Sequence, residues 1–112
     1  MQPDERDSAY LWDMLDAART IMKLTAEMSL PAYEEDRRTQ LATERALEII
    51  GEAAGKVSKA FCEKHPEIPW RQIIGQRNVL IHEYGQVRND RVWRVVKEGI
   101  PQLIEMLKPM VD

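Results

Sequence analysis

The sequence predicts an all-α protein, an up-and-down bundle of four to five helices, from three observations. Apolar residues recur in steps of three and four through four stretches, the spacing of one helix face. The apolar–polar alternation of a half-buried strand is missing, and Pro31, Pro66, Pro69 and Gly85 punctuate the ends of the periodic stretches. With 112 residues, the chain suits a single domain over 1–112 with one modest core.

The first helix is expected from about Ser8 to Met28, with Tyr10, Met14, Ala17, Ile21, Leu24 and Met28 on its apolar line. Asp7 or Ser8 is its expected cap and Pro31 its stop. The second and longest is expected from about Glu34 to Glu63. Its stripe is Leu47, Ile50, Ala54, Val57 and Phe61, widened by Ile49, Ala53 and Ala60. Gly51 and Gly55 inside it each cost about 1 kcal/mol of helix propensity. Close approach of another helix would offset that, either in a dimer contact or in an internal crossing. His65-Pro66-Glu67-Ile68-Pro69 then breaks the chain. A third helix follows from Pro69 or Trp70 to Tyr84, with Trp70, Ile73, Ile74, Leu80 and Ile81 apolar and Gly85 as terminator. Asn89-Asp90 is positioned to cap a fourth from about Arg91 to Met110. There Val92, Val96, Leu103, Ile104 and Leu107 face inward, and a bend is expected near Gly99 and Pro101.

Composition excludes several classes of function. Apolar residues at 44% and charged residues at 31% describe a globular chain rather than a disordered one. No apolar run approaches the roughly 20 residues of a membrane helix. The segment Met1 to Asp7 is acidic, unlike a secretory signal, so a cytoplasmic location without membrane contact is expected. Cys62 stands alone, which excludes an intrachain disulfide and favours a small buried thiol. His65 and His82 are the only histidines and lack metal-ligand spacing, so neither a metal nor any other cofactor is expected.

The net charge of −3 is unevenly spread. From Arg71 to Lys97 there are six basic and two acidic residues, a window of +4 that leaves −7 on the rest. Arg88, Arg91 and Arg94 within it are candidate phosphate contacts, set against the plainer reading of a solvated helix face.

Chemistry concentrates in Arg77-Asn78-Val79-Leu80-Ile81-His82-Glu83-Tyr84. Histidine suits proton transfer near neutral pH, and arginine offers planar paired donors to phosphate. One histidine supplies only one of the two proton-transfer roles that metal-free cleavage of a phosphodiester by a neighbouring hydroxyl requires. Water, Tyr84 or a second subunit must supply the other, which is a reason to expect a homodimer. Glu52 is a candidate for orienting Arg77 across a helix pair, and the alternative is a solvated face. Trp70 and Trp93 suit core packing better than base stacking.

This segment resembles the R-x(4–6)-H motif of the HEPN superfamily in its R-N-x-x-x-H-x-Y form. The chain is similar to the HepT-like branch through Arg45-Ala46-Leu47-Glu48-Ile49-Ile50-Gly51-Glu52-Ala53-Ala54 and Pro66-Glu67-Ile68-Pro69-Trp70. Ile73-Ile74-Gly75, Val92-Trp93 and Ile100-Pro101-Gln102-Leu103 extend the likeness over about residues 8 to 108. The resemblance implies a dimerising helical bundle that cuts RNA without metal as the toxin of a toxin–antitoxin pair. Arg77 and His82 would be catalytic, with Asn78 supporting them. It implies a minimal nucleotidyltransferase antitoxin that transfers AMP from ATP to Tyr84, and leaves a larger assembly with that partner open. The rival reading is a non-catalytic helical partner or nucleotide-binding module of a nucleotidyltransferase.

Overall fold

The computed structural model describes residues 4–82 and 89–111, the side chains of residues 77–82 excepted. In chain order it forms α1 (Glu5–Thr25), α2 (Leu30–Glu34), α3 (Arg37–Lys56), α4 (Lys59–Lys64), α5 (Trp70–His82), α6 (Asn89–Arg94), a π-helical turn (Val95–Gly99) and α7 (Ile100–Val111). No strand occurs among the described residues, and the all-α expectation holds.

Helix α3 occupies the middle, with α1 and α5 both packed along it and α7 packed along α1. The core follows from this arrangement. Ala46, Leu47, Ile50, Ala53 and Ala54 of α3 meet Leu11, Met14, Leu15, Ala18 and Ile21 of α1, and Leu103 and Leu107 of α7 join them. The small alanines of the α3 face let the partner helices approach closely.

Helix boundaries differ from expectation in four places. Helix α1 starts at Glu5 because the Asp4 carboxylate accepts from the Asp7 N–H at 2.7 Å, and neither Asp7 nor Ser8 is the cap. Its buried stripe includes Leu11, Leu15 and Ala18, while Tyr10 and Leu24 sit at the edge. It ends at Thr25, followed by Glu27 in the left-handed region at φ 61°. Pro31 therefore stops nothing; it lies in the first turn of α2, where its missing N–H is harmless, behind the Ser29 cap. The expected long second helix is two helices, α3 and α4. Ala60 is exposed rather than part of the stripe, and Val57 is extended at the break. Helix α6 already contains Asn89 and Asp90, so neither caps it.

The expected bend near Gly99 and Pro101 takes the form of the π-helical turn at Val95–Gly99. Pro101 has no N–H to return to the carbonyl of Lys97, and the Ile100 N–H bonds back to Val95. A wider turn at that point accommodates the proline inside an otherwise continuous helix.

The break between α3 and α4 is set by a contact made across 51 positions of chain. Asp7, almost wholly buried on α1, accepts from the Ser58 N–H at 2.9 Å and from the Ser58 hydroxyl at 2.6 Å. The Ser58 hydroxyl in turn accepts from the Phe61 N–H at 3.2 Å and caps α4. One buried carboxylate thus ties the first turn of α1 to the α3–α4 junction.

Replacing Asp7 with alanine strips both acceptors from a buried site and should cost about 2–3 kcal/mol. Asp7→Asn, which keeps one acceptor for the Ser58 N–H, should lose clearly less. Urea unfolding followed by circular dichroism measures both. A loss below about 1 kcal/mol for Asp7→Ala would show that the junction stands without this clamp.

Candidate active site

The segment from Arg77 to Tyr84 falls in the chain between two anchors. The first is the start of α5. There the Trp70 N–H bonds to the Ile68 carbonyl at 2.9 Å, and the Trp70 indole N–H bonds to the His65 carbonyl at 3.0 Å. The His65 ring stacks on Phe61 with centroids 4.3 Å apart, and its Nδ1 lies 3.2 Å from a Glu67 carboxylate oxygen. Ile68 and Ile73 are buried beneath this turn. Trp70 is consequently a packing residue whose one polar atom is satisfied.

The second anchor is α6. Trp93 is buried against Tyr33 of α2, ring centroids 5.1 Å apart and tilted by 36°, and the Lys97 ammonium lies 4.6 Å from the Trp93 ring centre. The Gln40 carboxamide donates to the carbonyls of Tyr33 and Glu34 at 2.8 and 3.0 Å, sealing the end of α2. The Tyr33 and Thr43 hydroxyls are both buried, and neither makes a well-formed hydrogen bond among the described residues. Burial, reinforced by the nearby Glu44 charge, pushes the Tyr33 phenol up to about 12, against weaker opposing pulls from Thr43 and Arg37. Burial also raises the Glu44 carboxyl.

Between the anchors, Arg77, Asn78 and His82 occupy the C-terminal half of α5. Helical geometry separates Arg77 and His82 by about 7.5 Å along the axis and sets Asn78 one turn before His82. Their side chains lie outside the described residues, as do Tyr84 and Arg88 entirely. Arg91 and Arg94 are exposed on α6. Glu52 is exposed and pairs with Lys56 at 3.4 Å. It borders a shallow pocket with Tyr10 and Asp13, on the flank of α3 that faces α1. Cys62 is half-buried, and its thiol is raised by burial and by the Asp7 charge. Gly51 is buried within the chain, whereas a Cβ added at Gly55 would meet nothing within 4 Å.

Helix α5 leans on α3 and α7 on α1, which leaves a groove of about 620 Å³ between α5 and the α6–α7 helix. Gln72 and Gln76 of α5 and Arg94 and Glu98 across from them form its rim. Neither glutamine is among the residues that the sequence singles out. Their one-turn spacing on the polar side of α5 is the available signal, but two glutamines carry no chemistry until a facing surface is known. Among the described residues, no three His, Cys, Asp or Glu side chains gather as metal ligands, and no helix is long and apolar enough to cross a membrane.

Residues 14–110 match the family described as ribonuclease HepT-like. A provisionally named ribonuclease HepT of Thermococcus cleftensis is 44% identical over 94 residues, covering 84% of this chain and 86% of that protein. A provisionally named RNase of Methanocaldococcus jannaschii is 36% identical over 95 residues, covering 85% of this chain and 87% of its own length. Another, from Caldanaerobacter subterraneus subsp. tengcongensis, is 34% identical over 103 residues and is covered to 92% on both sides. No solved structure matches the chain.

The Tyr33 anchor gives a test that needs no substrate. Its phenol loses a proton near pH 10 in the unfolded chain and near 12 when folded. Tyr33 therefore subtracts nothing below about pH 10, and stability falls as pH rises from about 10 toward 12 because the unfolded chain gives up the proton first. Tyr33→Phe should flatten that fall while leaving the melting temperature near pH 8 little changed. Thermal melts at pH 8 and pH 11 measure it, and an equally steep alkaline loss in the variant would contradict the assignment.

Proposed function

The chain belongs to the HepT-like ribonuclease family, and on that premise we propose that it is an endoribonuclease toxin whose catalytic pair is Arg77 and His82. The observation that carries the proposal is the place of this pair. The family match spans it, and it lies on the second half of α5, after that helix's anchored start and before the anchored α6.

In this reading a ribose 2′-hydroxyl attacks the adjacent phosphorus in line, the P–O5′ bond breaks, and a 2′,3′-cyclic phosphate remains. His82 carries one of the two proton transfers, and Arg77 stabilises the charge gathering on the phosphoryl oxygens. Asn78, one turn from His82, supports its orientation. Arg88, Arg91 and Arg94 hold phosphates along the strand, which agrees with the +4 window between residues 71 and 97. The second proton-transfer group comes from the matching His82 of a second copy, so the active form is a homodimer with both pairs in one cleft. Glu52, given its place on the α1-facing flank and its bond to Lys56, contributes less directly, by holding the α3 surface.

The proposed silencing partner is a minimal nucleotidyltransferase acting in the same cytoplasm. It transfers AMP from ATP to the Tyr84 hydroxyl, with pyrophosphate leaving. Phosphate charge placed two residues from His82 would repel RNA and occupy Arg77.

His82→Ala should abolish RNA cleavage in EDTA while the helical circular dichroism spectrum is kept. Wild-type products should end in 2′,3′-cyclic phosphate, as read by mass spectrometry. Undiminished cleavage by the variant would reject the assignment. Intact RNA with the wild-type protein, alongside nucleotide binding, would favour a non-catalytic module. With the nucleotidyltransferase and ATP present, the wild-type chain should gain mass in AMP increments and lose activity. Tyr84→Phe should do neither, and labelling that persists in this variant would move the modification elsewhere.

A further inference from the structure

The groove between α5 and the α6–α7 helix is built unlike a face for another protein. Its apolar floor, Leu47, Ile50, Ile73 and Leu103, is buried at the bottom of the cleft. A protein partner needs several hundred Å² of broad apolar contact on each side, which a recessed floor does not present. At about 620 Å³ the groove falls in the size range of small-molecule sites, large enough for a base with its ribose phosphate.

Its rim has the matching chemistry. Gln72 and Gln76 stand one turn apart on α5, and each carboxamide carries both donors and an acceptor, which the edge of a nucleobase requires. Arg94 faces them from α6, exposed and with no ion-pair partner among the described residues, ready for a phosphate. Glu98, one turn along, makes that end of the rim anionic and so assigns the phosphate to the Arg94 end. Gln76 immediately precedes Arg77, so the groove adjoins the proposed catalytic segment.

We propose that this groove is a nucleotide subsite for single-stranded RNA. It takes the base beside the cleaved phosphate against the Leu47–Ile73 floor, reads its edge with Gln72 and Gln76, and holds its phosphate with Arg94. The inference rests on the ribonuclease reading and adds to it the origin of sequence preference. Single strands are the substrate that fits, because only an unpaired base has a free face and edge to offer.

The test uses the full chain carrying His82→Ala and labelled single-stranded RNA oligomers of differing base composition in EDTA, followed by fluorescence anisotropy. Adding Arg94→Ala should weaken every oligomer alike, roughly tenfold, and lower the salt dependence by about one phosphate contact. Adding Gln72→Ala with Gln76→Ala should weaken some compositions several-fold more than others. In the His82-intact chain, the same pair should change which steps of a mixed RNA are cut. All three positions are on the surface or its edge, and circular dichroism verifies the fold. If the wild type cleaves RNA but neither variant alters binding or cut sites, the subsite is wrong and the ribonuclease reading survives. If the wild type does not cleave but the variants still weaken RNA binding as described, the subsite stands and the ribonuclease reading fails. Variants that lose binding of free AMP but not of RNA, or that change only the sedimentation of the dimer, would assign the groove to a mononucleotide or to a second copy and overturn the proposal.

Discussion

The packing of α1 and α5 turns on α3, because its buried face has to satisfy two helices at once. Ala46, Ala53 and Ala54 keep that face shallow, while Leu47 and Ile50 supply the bulk that fixes where α1 and α5 settle. A helix packed from two sides has little freedom to rotate, so its neighbours inherit its orientation. The candidate catalytic segment gains precision from this, since α5 carries Arg77 and His82 on a rod already fixed along α3. The groove is a by-product of the same arrangement: two helices that lean on different partners leave space between themselves.

The all-helical class, the order of the long helices and the α3 stripe could be read from the sequence because periodicity is a local property, whereas the short α2 and α4 could not. Leu47, Ile50, Ala54, Val57 and Phe61 form a single inward stripe in the sequence and are all buried in the structure. The divide between α3 and α4 could not be read in the same way. Ser58 looks like an unremarkable residue in a long amphipathic run, and its role depends on Asp7, a partner far away in the chain. Pro31 misleads for a related reason. A proline is equally compatible with the end of one helix and the first turn of the next, and the Ser29 cap decides between them.

The candidate segment stands out as a motif, since Arg77, Asn78 and His82 share the end of one periodic stretch, and the family match spans it. Its surroundings do not. Glu52 draws notice by lying in a family-like stretch, but the phase of α3 carries it to the flank facing α1. Gln72 and Gln76 attract no attention in one dimension and acquire meaning only when α6 brings Arg94 opposite them. Electrostatic character behaves likewise: the Tyr33 phenol owes its position to the depth at which it is buried, not to any residue beside it in sequence.

The π-helical turn has a consequence for phase. Val92, Val96 and Ile100 are spaced by four, and on an uninterrupted α-helix each such step would swing the inward line about 40° around the axis. A turn closed by the longer bond from Ile100 to Val95 holds more residues and takes most of that swing back. One helix can therefore keep Val92 and Trp93 at one end and Leu103 and Leu107 at the other aimed at a common core, with Arg91 and Arg94 left at a fixed azimuth toward solvent.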